Sequence, residues 1–227
     1  MTPPLSRLTV LAVCGLLTGV STVHAQTVFE PVHRVQAGVG VGWLGGAALG
    51  DQPAQLRTAS GNPFLLFNSE SELWSAPVFE VRVAFGLSRR FTVDGRAAVS
   101  SPELSTQVST DVEAAGSAVT LTEQLDQYVF EGGVMVRLYE LEAMGLLPFA
   151  SAGAGYVRRL HEEQTLVEEG HLFYVGGGLT RTLVSRPGGL IRGVSVRADL
   201  RLDVISTEFD EDSRGHGSVA GSLVFTF

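Results

Sequence analysis

The 227-residue sequence contains no lysine and a single cysteine, Cys14. One cysteine closes no disulfide within the chain and builds no multi-thiolate metal site. Basic charge is scarce as well. Sixteen arginines face 24 acidic residues, for a formal net charge of −8, which argues against a nucleic-acid partner. Past the first 25 residues no apolar run approaches the ~18 residues that a membrane helix needs. Yet the mean hydropathy is +0.22 and glycine numbers 27. That is apolar and glycine-rich for a secreted globule, and the apolar side chains have to be accommodated in some other pattern.

The first 25 residues read as a cleavable secretory signal. Arg7 is their only charge, Leu8 to Val20 is an apolar core, and Val23-His24-Ala25 precedes a cut ahead of Gln26. The core is too short to span a bilayer. Leu11-Ala12-Val13-Cys14 is a poor lipoprotein box, because Val13 is bulky and apolar sequence continues past the cysteine. The mature domain, residues 26–227, is then free of cysteine.

The pattern in that domain is alternation with period two, the signature of strands with one apolar face. It is clearest from Val194 to Val204. Val194, Val196, Ala198, Leu200, Leu202 and Val204 fall on one side; Ser195, Arg197, Asp199, Arg201 and Asp203 fall on the other. A helix would scatter both sets around its circumference. The same two-sidedness runs through Val35–Trp43, Val78–Leu87, Phe91–Ser100, Tyr128–Tyr139 and about Ser218 to Phe227. It is diluted by Gly and Ala in Phe149–Arg159 and Phe173–Arg181. Eight strands of roughly ten residues result, the length a tilted membrane strand requires.

The connections alternate in length. Gly46 to Pro77 and Ser101 to Gln127 are long, whereas Ser88-Arg89-Arg90 and Glu140 to Leu146 are short. His161 to Gly170, Ser185 to Ile191 and Thr207 to Gly215 complete the series. Short turns on one rim and longer loops on the other are the habit of outer-membrane barrels. With an even strand count both termini lie on the short-turn, periplasmic rim, and the acidic Glu208, Asp210, Glu211 and Asp212 lie outside.

The apolar faces carry no charge. The polar faces carry Arg34, Arg82, Arg96, Arg137, Arg197 and Arg201 against Glu80, Asp94, Glu131, Asp199 and Asp203. Near-balanced charges suit a narrow lumen in which they pair. The predicted fold is therefore all-β: an eight-stranded antiparallel up-and-down transmembrane barrel with its polar face inside. Trp43, Phe91, Tyr128, Tyr139, Phe149 and Phe225 fall near strand ends, as an interfacial girdle requires. The competing architecture is a soluble secreted barrel with the apolar face lining a ligand pocket.

The turn "GLSRRFTV" (Gly86 to Val93), "PFASAGAGY" (Pro148 to Tyr156) and the terminal "LVFTF" give the mature chain a further resemblance. It resembles the small eight-stranded outer-membrane β-barrel proteins of Gram-negative bacteria. The resemblance implies an outer-membrane location and contact with outer-membrane lipids and lipopolysaccharide. It also implies a monomeric state and handling by periplasmic chaperones and the barrel-assembly machinery. In that group a final strand ending in Phe is the assembly signal, a role that falls here to Leu223, Phe225 and Phe227.

Motifs for chemistry are sparse. Gly40-Val41-Gly42-Trp43-Leu44-Gly45 matches G-x-G-x-x-G, but no helix pattern follows it, as nucleotide binding would need. His161, His171 and His216 with Ser213 or Ser218 are the raw material of a lipid hydrolase, with nothing in their spacing to assemble it. Asp210, Glu211 and Asp212 lack the ordered ligand spacing of a calcium loop. No cofactor and no metal is expected. The functional expectation is a non-enzymatic barrel with a structural or surface-interaction role, in envelope integrity or adhesion. A lipid-modifying enzyme and a narrow pore are the rival classes.

Overall fold

The structure is a computed structural model, which describes residues 34–57, 63–109, 118–161, 167–186, 188–207 and 214–227. The expected signal peptide, Glu208, Asp210, Glu211, Asp212 and Ser213 lie outside the described residues. Twelve strands follow in chain order: β1 (Val35–Leu44), β2 (Ala47–Arg57), β3 (Pro63–Leu73), β4 (Ala76–Gly86), β5 (Phe91–Ser100), β6 (Glu103–Ser109), β7 (Val119–Gln124), β8 (Asp126–Arg137), β9 (Leu146–Leu160), β10 (Val167–Ser185), β11 (Gly193–Thr207) and β12 (Arg214–Thr226). Eight of them close into one antiparallel barrel in the order β1-β12-β11-β10-β9-β8-β5-β4.

The side-chain phase of every barrel strand is the one that alternation dictates. On β4, Phe79, Val81, Val83 and Phe85 are exposed while Val78, Glu80, Arg82 and Ala84 are buried. On β11, Val196, Leu200 and Leu202 point out, and Arg197, Asp199, Arg201 and Asp203 point in. Such a molecule is inside-out for water. A belt of exposed Val, Leu and Phe around a closed wall needs lipid, because bilayer hydrocarbon hydrogen-bonds no backbone and only a barrel without edges leaves no backbone group unmet. The soluble-barrel alternative fails on this point. Closed wall, apolar exterior and charged interior make this the outer-membrane type of β-barrel.

The last strand, β12, closes the barrel. β12 pairs with β1 from Gln36↔Thr226 to Leu44↔Ser218 and with β11 from Gly193↔Thr226 onward. The Phe227 amide still donates to Val35 O at 2.9 Å. Leu223, Phe225 and Phe227 share the outward phase, opposite the buried Ser222, Val224 and Thr226.

Two expectations are corrected. The segments read as long outer loops, 46–77 and 101–127, are largely strand. β2, β3, β6 and β7 form a second, four-stranded sheet in that order, which stands on the outer ends of β1, β4, β5 and β8. Each wall strand carries straight on into its outer partner. Pairing survives the break, since Trp74 N–H donates to Glu103 O and Leu125 N–H to Pro102 O, at 2.8 and 2.9 Å. Alternation missed these strands because Gly50 and the Ser69-Glu70-Ser71-Glu72 run leave them no continuous apolar face. Phe149 is the second correction. It is buried and faces the lumen, not the interface, because Phe149 shares the inward phase of β9 with Ser151 and Val157. Trp43 and Phe91 do face outward.

Candidate functional site

The lumen is filled by layers of side chains stacked along the barrel axis. At its centre lies a closed circuit of ion pairs. Glu80 on β4 accepts from Arg82 Nε and Arg96 Nε, each at 2.6 Å, so both its oxygens are engaged. Arg96 on β5 reaches on to Glu131 of β8 at 2.8 Å. Glu131 also takes Arg201 of β11 at 2.5 Å. Arg201 comes within 3.8 Å of Asp199, and Asp199 accepts from Arg82 at 3.2 Å, which returns the circuit to Glu80. Three carboxylates alternate with three guanidiniums, and the circuit spans the lumen between β11 and β5, opposite strands of the barrel.

Other groups brace it. Arg197 binds Asp199 at 2.7 Å and lies over the Phe149 ring, 4.3 Å from its centroid. Arg201 lies over Tyr174 at 4.6 Å. Both are cation–π placements, which strengthen when water is scarce. Glycines make room for these bulky groups. A Cβ on Gly40 would sit 2.9 Å from Glu80 Oε1 and 2.8 Å from Ser222 Cβ. One on Gly153 would sit 2.7 Å from the Tyr174 ring. The G-x-G-x-x-G stretch is thereby explained: Gly40 lies on the inward face of β1 and leaves space for the charges opposite.

Above the circuit, toward the outer rim, the same inward phases carry an apolar layer. Leu44, Val78, Ala98, Val129, Val157, Leu172 and Ile205 are all buried and form one cluster with Tyr174. They come from β1, β4, β5, β8, β9, β10 and β11, one from each. On β12 the corresponding inward position is His216, 2% exposed. A further polar layer caps them: Arg159 donates to Gln127 at 2.8 Å and pairs with Glu168 at 3.4 Å. Beside the circuit a void of about 10 Å³ is lined by Val78, Glu80, Arg96, Asp199, Arg201 and Ser218. That is at most the space of one water. An eight-stranded barrel is just wide enough for side chains to fill, and charged, apolar and polar layers occupy this one in turn.

Of the ten charges expected in the lumen network, seven are joined: Glu80, Arg82, Arg96, Glu131, Arg197, Asp199 and Arg201. Asp94 is buried on the same face, but its Oδ1 accepts no hydrogen bond among the described residues. Asp203 is buried and accepts from Ser218 at 3.3 Å. Arg137 lies six residues below Glu131 on β8, roughly 20 Å along the strand. It donates there to Tyr139 Oη at 3.5 Å, at the short-turn rim. The sequence reading missed the apolar layer, Tyr174 and Arg159. Their signal was present, since each shares the phase of the charges on its own strand.

The histidines do not assemble. His161 meets Glu123 of β7 at 3.1 Å, and His171 is exposed on β10. His216 lies opposite Asp203, beside Ser218. The Ser218 hydroxyl donates to the Asp203 carboxylate rather than to an imidazole, whereas a Ser–His nucleophile needs a ring nitrogen as the acceptor. Among the described residues no group of three or more His, Cys, Asp or Glu is arranged to hold a metal ion.

No protein-family profile matches the chain, and no curated protein matches its sequence. Among solved structures it is similar to the outer membrane protein OprG from Pseudomonas aeruginosa, at 8% identity over 86% of this chain and 96% of that one, with a TM-score of 0.44. It is also similar to Ail, the attachment invasion locus protein of Yersinia pestis, at 10% identity over 85% and 98%, TM-score 0.40. The outer membrane protease OmpT from Escherichia coli matches at 9% identity over 89% and 99%, TM-score 0.39. Likeness at this level transfers no residue role.

Proposed function

We propose that this protein is a non-enzymatic surface-interaction protein of the Gram-negative outer membrane, in which a closed barrel holds up an extracellular β-sheet. The observation that carries this reading is the β2-β3-β6-β7 sheet. It grows from half of the barrel wall, with backbone hydrogen bonds at the break from Trp74 to Glu103 and from Leu125 to Pro102, so it is one paired sheet and not a set of separate loops. Leu73, Pro102 and Leu125 are buried beneath it and fix it to the barrel. Its exposed Val119 and Leu121 lie on one face and its exposed Glu70, Glu72 and Gln107 on the other, so it offers a partly apolar side and an acidic side, surfaces of the sort that meet partners. A filled lumen speaks against a pore. The orientation of Ser218 toward Asp203 speaks against a hydrolase.

The test is to replace β2–β3 and β6–β7 with short turns and compare the cells with wild type and a full deletion. The reading expects the shortened barrel to fold and keep the envelope tight while surface adhesion drops to the deletion level. Full adhesion by the shortened barrel would contradict it.

A further inference from the structure

Charged side chains on the lipid side of a barrel are costly, the more so toward mid-bilayer, and an ionisable group there points to a function. Among the described side chains on the barrel strands, two arginines face outward, Arg158 and Arg181. Arg158 stands at the outer rim, in register with the exposed Glu169 of β10. Arg181 is different. It lies opposite Val196 of β11 and Leu146 of β9, on the half of the barrel nearest the periplasm. Val196 faces lipid, so Arg181 faces it too. It is half-buried, and among the described residues it is paired with no carboxylate.

Two more arginines lie just below. β10 continues four residues past Arg181 without a β9 partner, so the β10–β11 hairpin protrudes past its neighbour. At its neck the Arg186 amide donates to Arg192 O at 2.7 Å, which sets two exposed arginines against each other. Like charges placed directly opposite destabilise a sheet, and neither has an acidic partner among the described residues. Around them the apolar residues are exposed: Leu183, Val184, Ile191, and Leu190 at 81% on the hairpin, with Leu141 and Met144 at 93% on the neighbouring β8–β9 turn. The acids of that turn do not neutralise the hairpin. Glu140 is paired with Arg90, and Glu142 is exposed. Arginines above and below a ring of exposed aliphatic groups match the headgroup boundary of a bilayer leaflet.

We infer that Arg181, Arg186 and Arg192 form a site for an anionic phospholipid of the inner, periplasmic leaflet. Its phosphate replaces the missing carboxylate, and its chains run toward mid-bilayer over the exposed Val196 and Leu179. A guanidinium suits this role because its fork of donors fits phosphate oxygens in pairs. Three uncompensated positive charges select a headgroup with net negative charge over a zwitterionic one.

The test uses folded, full-length mature protein in mild detergent, equilibrated with an equal mixture of phosphatidylglycerol and phosphatidylethanolamine. Retained lipid is counted by native mass spectrometry. Wild type is expected to retain phosphatidylglycerol preferentially. Arg181→Gln should cut that preference about five-fold, taking roughly 1 kcal/mol per arginine near an anionic surface. The triple variant with Gln at 181, 186 and 192 should abolish it. Gln at Arg89, on the β4–β5 turn, should leave it unchanged. Arg181→Gln alters a side chain that has no ion-pair partner among the described residues, and it keeps the test intact if the triple variant does not fold. Equal retention of the two lipids by wild type would overturn the site. So would an unchanged preference in Arg181→Gln, or a loss as large in the Arg89→Gln variant.

Discussion

Two layers of the lumen, stacked directly on each other, are filled by opposite means. The lower is a neutral circuit of Glu80, Arg96, Glu131, Arg201, Asp199 and Arg82. The upper is the apolar set of Leu44, Val78, Ala98, Val129, Val157, Leu172 and Ile205. Both occupy the inward phase of β4, β5, β8 and β11 and both are buried. They differ in what a single loss leaves behind. An apolar layer that loses a side chain keeps a small void, and its neighbours relax part of the way. A charge circuit that loses one member leaves its partners buried without compensation, which costs more than the pair contributed. The apolar layer therefore fills, while the charge layer also specifies. A one-residue slip of any strand would carry its charge out to lipid and a valine or leucine into the circuit.

The largest expected effect follows from that asymmetry. Asp199 accepts from Arg82 and Arg197 and lies near Arg201, so Asp199→Ala leaves Arg197 without its carboxylate and opens the circuit between Arg82 and Arg201. It should cost about 3–5 kcal/mol in reversible unfolding from detergent or vesicles. Leu172→Ala, in the apolar layer, should cost about 2–3 kcal/mol, the low end for a buried leucine. If the two variants come out equal, the layers do not differ as described.

Gly40→Ala sharpens the comparison from the side of space. The added methyl meets Glu80 Oε1 and Ser222 Cβ, so it strains the circuit without removing a charge. About 1–2 kcal/mol is expected, as for an overpacked core. The smallest effect belongs to the outside. Leu200→Ala removes a fully lipid-facing side chain next to Asp199, and lipid fills the space as well as leucine did. Less than about 1 kcal/mol is expected. A larger loss than for Asp199→Ala would mean that the two faces of β11 are reversed.

How much of this was legible in the sequence depended on contrast between the faces of a strand. β11 declared itself because Arg197, Asp199, Arg201 and Asp203 alternate with Val196, Ala198, Leu200 and Leu202. The charges of β4, β5 and β8 followed in phase. Phe149 misled because an aromatic near a strand end fits a lumen wall and an interfacial girdle alike, and phase in the Gly- and Ala-rich β9 is weakly marked. The outer sheet was invisible because both of its faces are mixed. β3 runs from Phe64-Leu65-Leu66-Phe67 straight into Ser69-Glu70-Ser71-Glu72, which is neither an apolar nor a polar face. Which charge pairs with which was also beyond the sequence, since barrel order puts β11 opposite β5 only after closure.

The central claim is that paired side chains seal the lumen. Planar-bilayer recording of the refolded mature protein tests it most directly. The sealed lumen predicts no steady conductance from wild type, and brief, small openings once Arg96→Ala breaks the circuit between Glu80 and Glu131. Large, stable channels from the wild-type protein would contradict it.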